Sequence, residues 1–436
     1  MSSSTSAARR RFLAGLAAGT AALAVRPLCA APPSRVVVLT AYPDETVSRF
    51  ERAFEQAHPE YRLQFVWRMP HDALSYLRQP GQAGVDVYWS ASPRTFAALA
   101  ADGVWRPLKV DRTGLPGRIG KTALADPGGR YLATEMAGFG FAVNDAALKR
   151  LKLERPKDWP DLADARYAGL VALPVPAQVG FAPPMVEIVL QTWGWEGGWA
   201  LWSEIAGNAV PVERGSTFVT DEVASGRCPI GLSIDFFAVS AIANGMPLAF
   251  VYPRHGGINP AHVAITAGAP NPDGALVFAD FVLSTAGQRL LGHPDIRKLP
   301  VRPAVYDELP ADYYDPFAAA SRGELDYDSE SARLRLALSA AVFQQMLVED
   351  HGELVALWRR LHAAEAAGKD VASARRAVGR PVLSEAEAAD PGLRRLFRHR
   401  VEGAAGTEAT AKEKLWRERA ADNRAQARRL LEQAGE

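Results

Sequence analysis

The chain has 436 residues, 48% of them hydrophobic and 23% charged, with a formal net charge of +1. That length exceeds one compact core and predicts two or three domains. The near-neutral balance argues against a nucleic-acid binder, which would carry a basic face or a high pI.

Arg9-Arg10-Arg11-Phe12-Leu13 reads as R-R-x-F-L and resembles a twin-arginine export signal. An apolar stretch from Ala14 to Val25 follows, about half of what a membrane-spanning helix needs. Small residues near Ala30 and Ala31 complete the pattern of a cleaved signal peptide over residues 1–31, so the expected location is the periplasm. Cys29 lacks a small residue before it and a leucine three before it, so it reads as removed with the signal, not lipidated. Losing the signal's four arginines and no acids would take the net charge from +1 to −3. Cys228 then remains alone, too little for an internal disulfide or a multi-cysteine metal cluster. It precedes the apolar Ile230-Gly231-Leu232 and reads as a buried small hydrophobe.

Strand, helix, strand, helix, strand follow: Arg35–Thr40, a helix from Asp44 with Val47, Phe50 and Phe54 on one face, Arg62–Trp67, a helix over Asp72–Arg78, and Val85–Trp89. This spacing predicts βαβ units on a parallel sheet. Ligands sit outside the carboxyl ends of such strands, which singles out the loops Ala41–Glu45 and Ser90–Pro93. The style repeats with strands at Gly169–Pro174, Asn208–Val212, Ile230–Ile234 and Leu248–Pro253. Helices are predicted over Pro183–Trp193, Val219–Ala224 and Phe237–Asn244, the last ended by Gly245. Two α/β lobes with a cleft between them are implied: residues 32–133 with 253–310, and residues 134–252. The connecting candidates are Tyr131–Asn144 and Tyr252–Thr266. From 311 to 436 the chain reads as an all-helical extension. Leu334, Leu338, Ala341, Val342, Leu354, Leu357, Trp358 and Leu361 form an apolar stripe, and Ser384–Glu387 has the form of a capping box.

Pro156-Lys157-Asp158-Trp159-Pro160-Asp161-Leu162, Val223-Ala224-Ser225-Gly226, Gly268-Ala269-Pro270-Asn271-Pro272 and Ile296–Pro303 carry a family likeness over residues 35 to about 305. The chain resembles the type II extracellular solute-binding proteins of the ferric-iron, phosphonate and sugar-phosphate ABC importers. The resemblance implies two lobes, a hinge of two segments, closure on a small-molecule ligand and handover to an ABC permease in the inner membrane. It implies adjacent tyrosines as metal ligands in the iron binders, but Asp235-Phe236-Phe237 stands at that place, and phenylalanine cannot ligate a hard cation. Tyr313-Tyr314 is the alternative pair, placed by the sequence beyond the core. The histidines and carboxylates show no H-x-x-x-H or H-E-x-x-H spacing, and no cofactor is expected.

The phosphate-binding relatives use hydroxyls and free N–H groups at helix starts. Ser216 and Thr217 suit this in the second lobe, and Ser90 and Ser92 in the first, although plain helix capping explains such serines equally well. A third such place, around Gly180 and Phe181, lacks hydroxyls. Tyr42, Ser90, Ser92, Gly180, Phe181, Ser216, Thr217, Asp235 and Phe236 are therefore the candidate cleft residues. The expected ligand is a small organic anion bearing phosphate, phosphonate or carboxylate. Asp235 opposes an anion unless it meets an amine or a hydroxyl on the ligand, which suits a zwitterion such as an aminophosphonate or, as the runner-up, a cation such as thiamine or a polyamine; ferric ion is a further alternative. No G-x-S-x-G elbow, Walker loop or metal motif suggests an enzyme; Val179-Gly180-Phe181 and Gly138-Phe139-Gly140 read as glycine-bearing turns. A rival reading is a ligand sensor that docks on a membrane sensor kinase through the helical extension.

Overall fold

The computed structural model describes residues 32–213, 215, 217–401 and 406–435. The expected signal segment with Cys29, and the candidate Ser216, lie outside the described residues. Residues 34–436 cluster as one compact unit.

The β-branched run Ser34–Thr40 forms β1, buried from Val36 onward; α1 (Asp44–Ala57) follows, burying Phe50 and Phe54 one turn apart. Then come β2 (Tyr61–Trp67), α2 (Pro70–Leu77), β3 (Val87–Ser90) and α3 (Pro93–Ala101). β2 and β3 flank β1 in parallel, with Ser34 opposite Tyr61 and Val38 opposite Val87. A short hairpin, β4 (Arg118–Ile119) and β5 (Thr122–Ala123), leads into β6 (Tyr131–Val143).

The second α/β unit contains α4 (Asp145–Leu151), β7 (Val171–Pro174), α5 (Pro183–Asn208), β8 (Ala209–Val212), α6 (Thr217–Ala224), β9 (Ile230–Ile234) and α7 (Asp235–Ala243). β7 pairs in parallel with β8 and β9. The chain returns through β10 (Ala249–Val251) and β11 (Ile258–Ile265) to α8 (Pro272–Leu283), α9 (Thr285–Leu290) and β12 (Leu299–Pro300). Strand order is β2-β1-β3-β11-β6-β9-β7-β8, with β10 and β12 also on β6.

β6 is the element that joins the halves. Tyr131–Gly138 pairs antiparallel with β11, and Phe139–Val143 pairs with β9. The expectation of a turn at Gly138-Phe139-Gly140 is therefore corrected: these residues lie inside a continuous strand. Their glycines serve close approach instead. A Cβ on Gly140 would lie 2.3 Å from the Val251 carbonyl oxygen, and one on Gly138 would lie 2.6 Å from the Tyr252 ring.

α5 runs past the predicted end at Trp193, but Gly194 (φ 73°) breaks the helical geometry there, and the second half carries Trp199 and Trp202 into the core. One core fills the first lobe around Phe50, Phe54, Trp89 and Phe278. Another packs on the opposite sheet face around Tyr88, Phe96 and Trp105. The largest core surrounds Phe141, Trp159, Trp199 and Trp202 of the second lobe and continues without a break into the C-terminal helices.

Those helices are α10 (Pro316–Ser321), α11 (Ser329–Arg333), α12 (Leu336–Phe343) with a π-helical turn over Gln344–Val348, α13 (His351–Ala366), α14 (Ala372–Gly379), α15 (Glu385–Ala389), α16 (Pro391–Val401) and α17 (Thr407–Gln433). The stripe Leu338, Val342, Leu354, Leu357, Trp358 and Leu361 is buried, and the Ser384–Glu387 capping box is present. Leu334 departs from the stripe at 43% exposure. It falls in the break between α11 and α12, where the helical register restarts. Buried and half-buried polar contacts join the seam to α5. Glu187 meets Arg335 and Ser339, and Glu204 meets His362 at 2.9 Å and Arg375 at 2.7 Å.

Candidate ligand site between the lobes

Both lobes direct the carboxyl ends of parallel strands toward β6, and the loops after β1 and β9 supply the first residues. Tyr42, two residues beyond β1, donates its backbone N–H to Thr40 Oγ1 at 3.1 Å. Its ring stands edge-on to Trp89 with centroids 4.6 Å apart. Only 4% of Tyr42 is exposed, and its hydroxyl makes no hydrogen bond of ordinary geometry. Burial pushes that phenol well above its ordinary pKa, and the nearby Glu135 carboxylate adds to the push.

Glu135 lies in β6 among apolar neighbours and is fully buried. Thr134 donates to its carboxylate while accepting from Trp89 Nε1 at 3.1 Å. Lys298, just before β12, places Nζ 3.3 Å from Glu135 Oε1. The same ammonium sits 4.0 Å from the Tyr42 ring centre and 5.5 Å from that of Phe236. Lys298 thus touches aromatic faces from both lobes while itself only 7% exposed.

Asp235 opens α7. Its Oδ2 accepts from the Gly138 N–H at 2.7 Å and from the Tyr252 hydroxyl at 3.0 Å. Desolvation pushes its pKa up to about 7, the two hydrogen bonds and Lys298 holding back part of the rise. Burial thus favours the neutral acid, which lessens the repulsion that an anionic ligand would otherwise meet. Tyr252 stacks flat on Tyr314 at 3.6 Å. Beside them, Phe236 and Phe237 lie 4.2 Å apart, and Phe181 lies 5.5 Å from Phe237, which makes an aromatic wall on the second lobe.

The other predicted residues lie apart from this group. Ser90 and Ser92 are buried on the Tyr88 side of the sheet, where alternation along β3 separates them from Trp89. Ser92 Oγ and Thr95 Oγ1 share a hydrogen bond of 2.7 Å, and Ser92 does not cap α3 with its side chain. Burial raises the Tyr88 phenol, and the hydroxyls of Ser90, Thr95 and Ser92 hold the rise back, yet Tyr88 Oη makes no hydrogen bond of ordinary geometry. Gly180 and Thr217 are exposed just before α5 and at the start of α6.

Tyr313 and Tyr314, placed by the sequence beyond the core, pack against the first lobe's core. Tyr313 donates its hydroxyl to the Lys298 carbonyl at 2.8 Å, and burial holds both phenols far above their usual range. Among the described residues no three His, Cys, Asp or Glu side chains converge as metal ligands.

Sequence reasoning missed Glu135, Lys298 and Tyr252, and named Tyr314 only as half of an alternative metal-ligand pair. One signal was present for Glu135: a lone acid inside the apolar run Tyr131–Val143 requires a buried partner. Nothing in the spacing names Lys298 as that partner.

A family model described as "Bacterial extracellular solute-binding protein" matches residues 85–321. The phosphoglycerate transport regulatory protein PgtC of Salmonella typhimurium is 32% identical over 237 residues, 54% of this chain and 58% of that protein. The chain thus spans less than two thirds of that relative. Among solved structures, the periplasmic binding protein AfuA from Actinobacillus pleuropneumoniae, with fructose-6-phosphate bound, superposes with a TM-score of 0.58 at 20% identity, covering 72% of this chain and 99% of AfuA. Iron-bound HitA from Pseudomonas aeruginosa gives 0.56 at 16%, covering 71% and 99%. These likenesses show the two-lobed type II fold.

Proposed function

The chain belongs to the bacterial extracellular solute-binding proteins, and from that premise we propose that it is the periplasmic receptor of an ABC-type importer, capturing a small organic anion between its lobes. The carrying observation is the buried Lys298 ammonium held between aromatic faces of both lobes, Tyr42 on one side and Phe236 on the other. Ligand pockets combine apolar walls with few polar anchors, and this arrangement suits an organic body with one anionic group. Phosphoglycerate in the name of one relative and fructose-6-phosphate bound to another support a phosphorylated ligand.

In this reading residues 1–31 export the chain by the twin-arginine route and are cleaved near Ala31. Residues 32–133 with 253–310 form one lobe, 134–252 the other, and 311–436 the helical extension. Tyr42, Phe181, Asp235 and Phe236 line the cleft, with Gly180 and Thr217 at its mouth and Ser90 and Ser92 beneath the first lobe's rim; Ser216 is a further candidate for the ligand. The partner is an inner-membrane permease. A second reading, ligand sensing for a membrane sensor kinase, is favoured by the relative's regulatory name and by the extension, which lies mostly outside the family match.

Calorimetric titration against 3-phosphoglycerate, fructose 6-phosphate, phosphonates, citrate, ferric citrate, thiamine and spermidine tests the ligand class. A phosphorylated or carboxylated anion is expected to bind at micromolar or tighter affinity. Tight binding of ferric ion or spermidine alone would overturn the proposal.

A further inference from the structure

The pair Lys298–Glu135 leaves donors over. An ammonium has three N–H groups. Lys298 Nζ meets Glu135 Oε1 at 3.3 Å and otherwise faces the rings of Tyr42 and Phe236. Tyr42 adds a buried hydroxyl that makes no hydrogen bond of ordinary geometry, with the Glu135 carboxylate as its nearby acceptor. The acceptor side is better served, because Glu135 receives the Thr134 hydroxyl as well as Lys298. Unused donors therefore gather between an aromatic ring of the first lobe and one of the second. A group rich in acceptors and negative charge completes that balance, whereas a cation or a second donor worsens it. Glu135 neutralises Lys298 meanwhile, so the buried ammonium does not stand alone in the low-dielectric interior.

We propose that Lys298 and Tyr42 form the oxyanion-binding point of the interlobe cleft, and that Glu135 is the internal competitor that holds Lys298 until a ligand phosphate or carboxylate shares it. The assignment rests on the organic-anion reading above and adds its anchor residues. It also supplies a link to closure. Lys298 reaches Tyr42 of the first lobe and Phe236 of the second, so an oxyanion held on it is bounded by both lobes at once.

The test is calorimetry with 3-phosphoglycerate, fructose 6-phosphate and citrate on four proteins: wild type, Tyr42→Phe, Glu135→Gln, and the double variant Lys298→Met with Glu135→Gln. The double variant avoids a stranded buried carboxylate, and Tyr42→Phe keeps the ring packing. Cooperative thermal melting establishes that each is folded. Tyr42→Phe is expected to weaken the anion about tenfold, the scale of one hydrogen bond to a charged group. The double variant is expected to weaken it by about a hundredfold or more. Glu135→Gln alone is expected to tighten binding, because it removes the competitor and keeps the ammonium. A purely structural pair would make Glu135→Gln weaken binding along with the double variant. Wild-type binding of an anion with folded variants that match it, or with Glu135→Gln as weak as the double variant, overturns the assignment and leaves the organic-anion reading standing. Wild type that binds none of the three anions overturns that reading, and the assignment falls with it.

Discussion

Asp235 and His262 are both buried, and their titrations oppose each other. Asp235 is raised from 3.8 to about 7 by desolvation. Its contribution to stability is full below pH 3.8 and is lost as pH rises through 7, because the folded state must then hold a desolvated carboxylate. His262, packed against Phe96 and Tyr131, is held down at about 3 by burial. Its contribution is full above pH 6.5 and is lost as pH falls toward 3, because the unfolded state takes the proton first. The two slopes offset one another across mildly acidic pH, so each single variant should unmask the other. Urea melts of Asp235→Asn are expected to lose midpoint more steeply than wild type between pH 6.5 and 4. Melts of His262→Gln are expected to lose it more steeply from pH 5 to 7.5. Parallel profiles for wild type and both variants would contradict this. Cys228 is 3% exposed, and burial pushes its thiol up to about 11. It is expected to stay unreactive toward a thiol reagent at pH 8 in the folded protein and to react on unfolding.

At the scale of elements, α5 and β6 carry the architecture. The second half of α5 presents Trp199 and Trp202 to Phe343, while Trp358 of α13 donates its Nε1 hydrogen to Ser203 Oγ at 3.1 Å. This seam is one packed core, so its residues should behave as core residues and not as a docked tail. Leu357→Ala is expected to cost about 2–5 kcal/mol in chemical denaturation, the range for emptying a well-packed leucine site. It should shift a single transition and not create a separate melt of residues 330–430. In β6, Gly140→Val is expected to force β10 away, since even a Cβ lies 2.3 Å from the Val251 carbonyl. Loss of ligand-induced compaction with the fold retained would be its signature in scattering.

At the scale of the whole molecule, the chain crosses between the cores once more than a two-segment hinge requires. Leu325 belongs to the first lobe's core and Tyr327 to the second's. The Glu324 backbone carbonyl accepts from the Gly256 N–H at 2.8 Å, and the Tyr327 carbonyl accepts from Thr122 Oγ1 at 3.0 Å. The helices after Tyr327 share the second lobe's core, so they should travel with that lobe during any hinge motion. Spin labels on α13 and α4 are expected to keep a fixed separation when a binding anion is added, while labels on α13 and α1 change theirs. A fixed α13–α1 distance alongside a shifted α13–α4 distance would assign the extension to the first lobe instead.

Local information was enough for much of this. The β-branched run at Val36–Leu39, the Phe50–Phe54 spacing and the alternation of strands with helices specify βαβ units because each depends on residues a few positions apart. The apolar stripe from Leu338 to Leu361 predicts buried helices for the same reason, and it fails at Leu334, where a helix break resets the register. Phe236-Phe237 in place of a tyrosine pair, and Asp235 beside them, were visible as chemistry but not as geometry. The tertiary structure alone decided that Asp235 faces Gly138 and Tyr252, that Tyr314 stacks on Tyr252, and that Lys298 meets Glu135 across 163 positions of chain. Such pairings are selected by desolvation, which forces each buried charge toward whatever partner the folded chain brings near, and no local spacing records which partner that is.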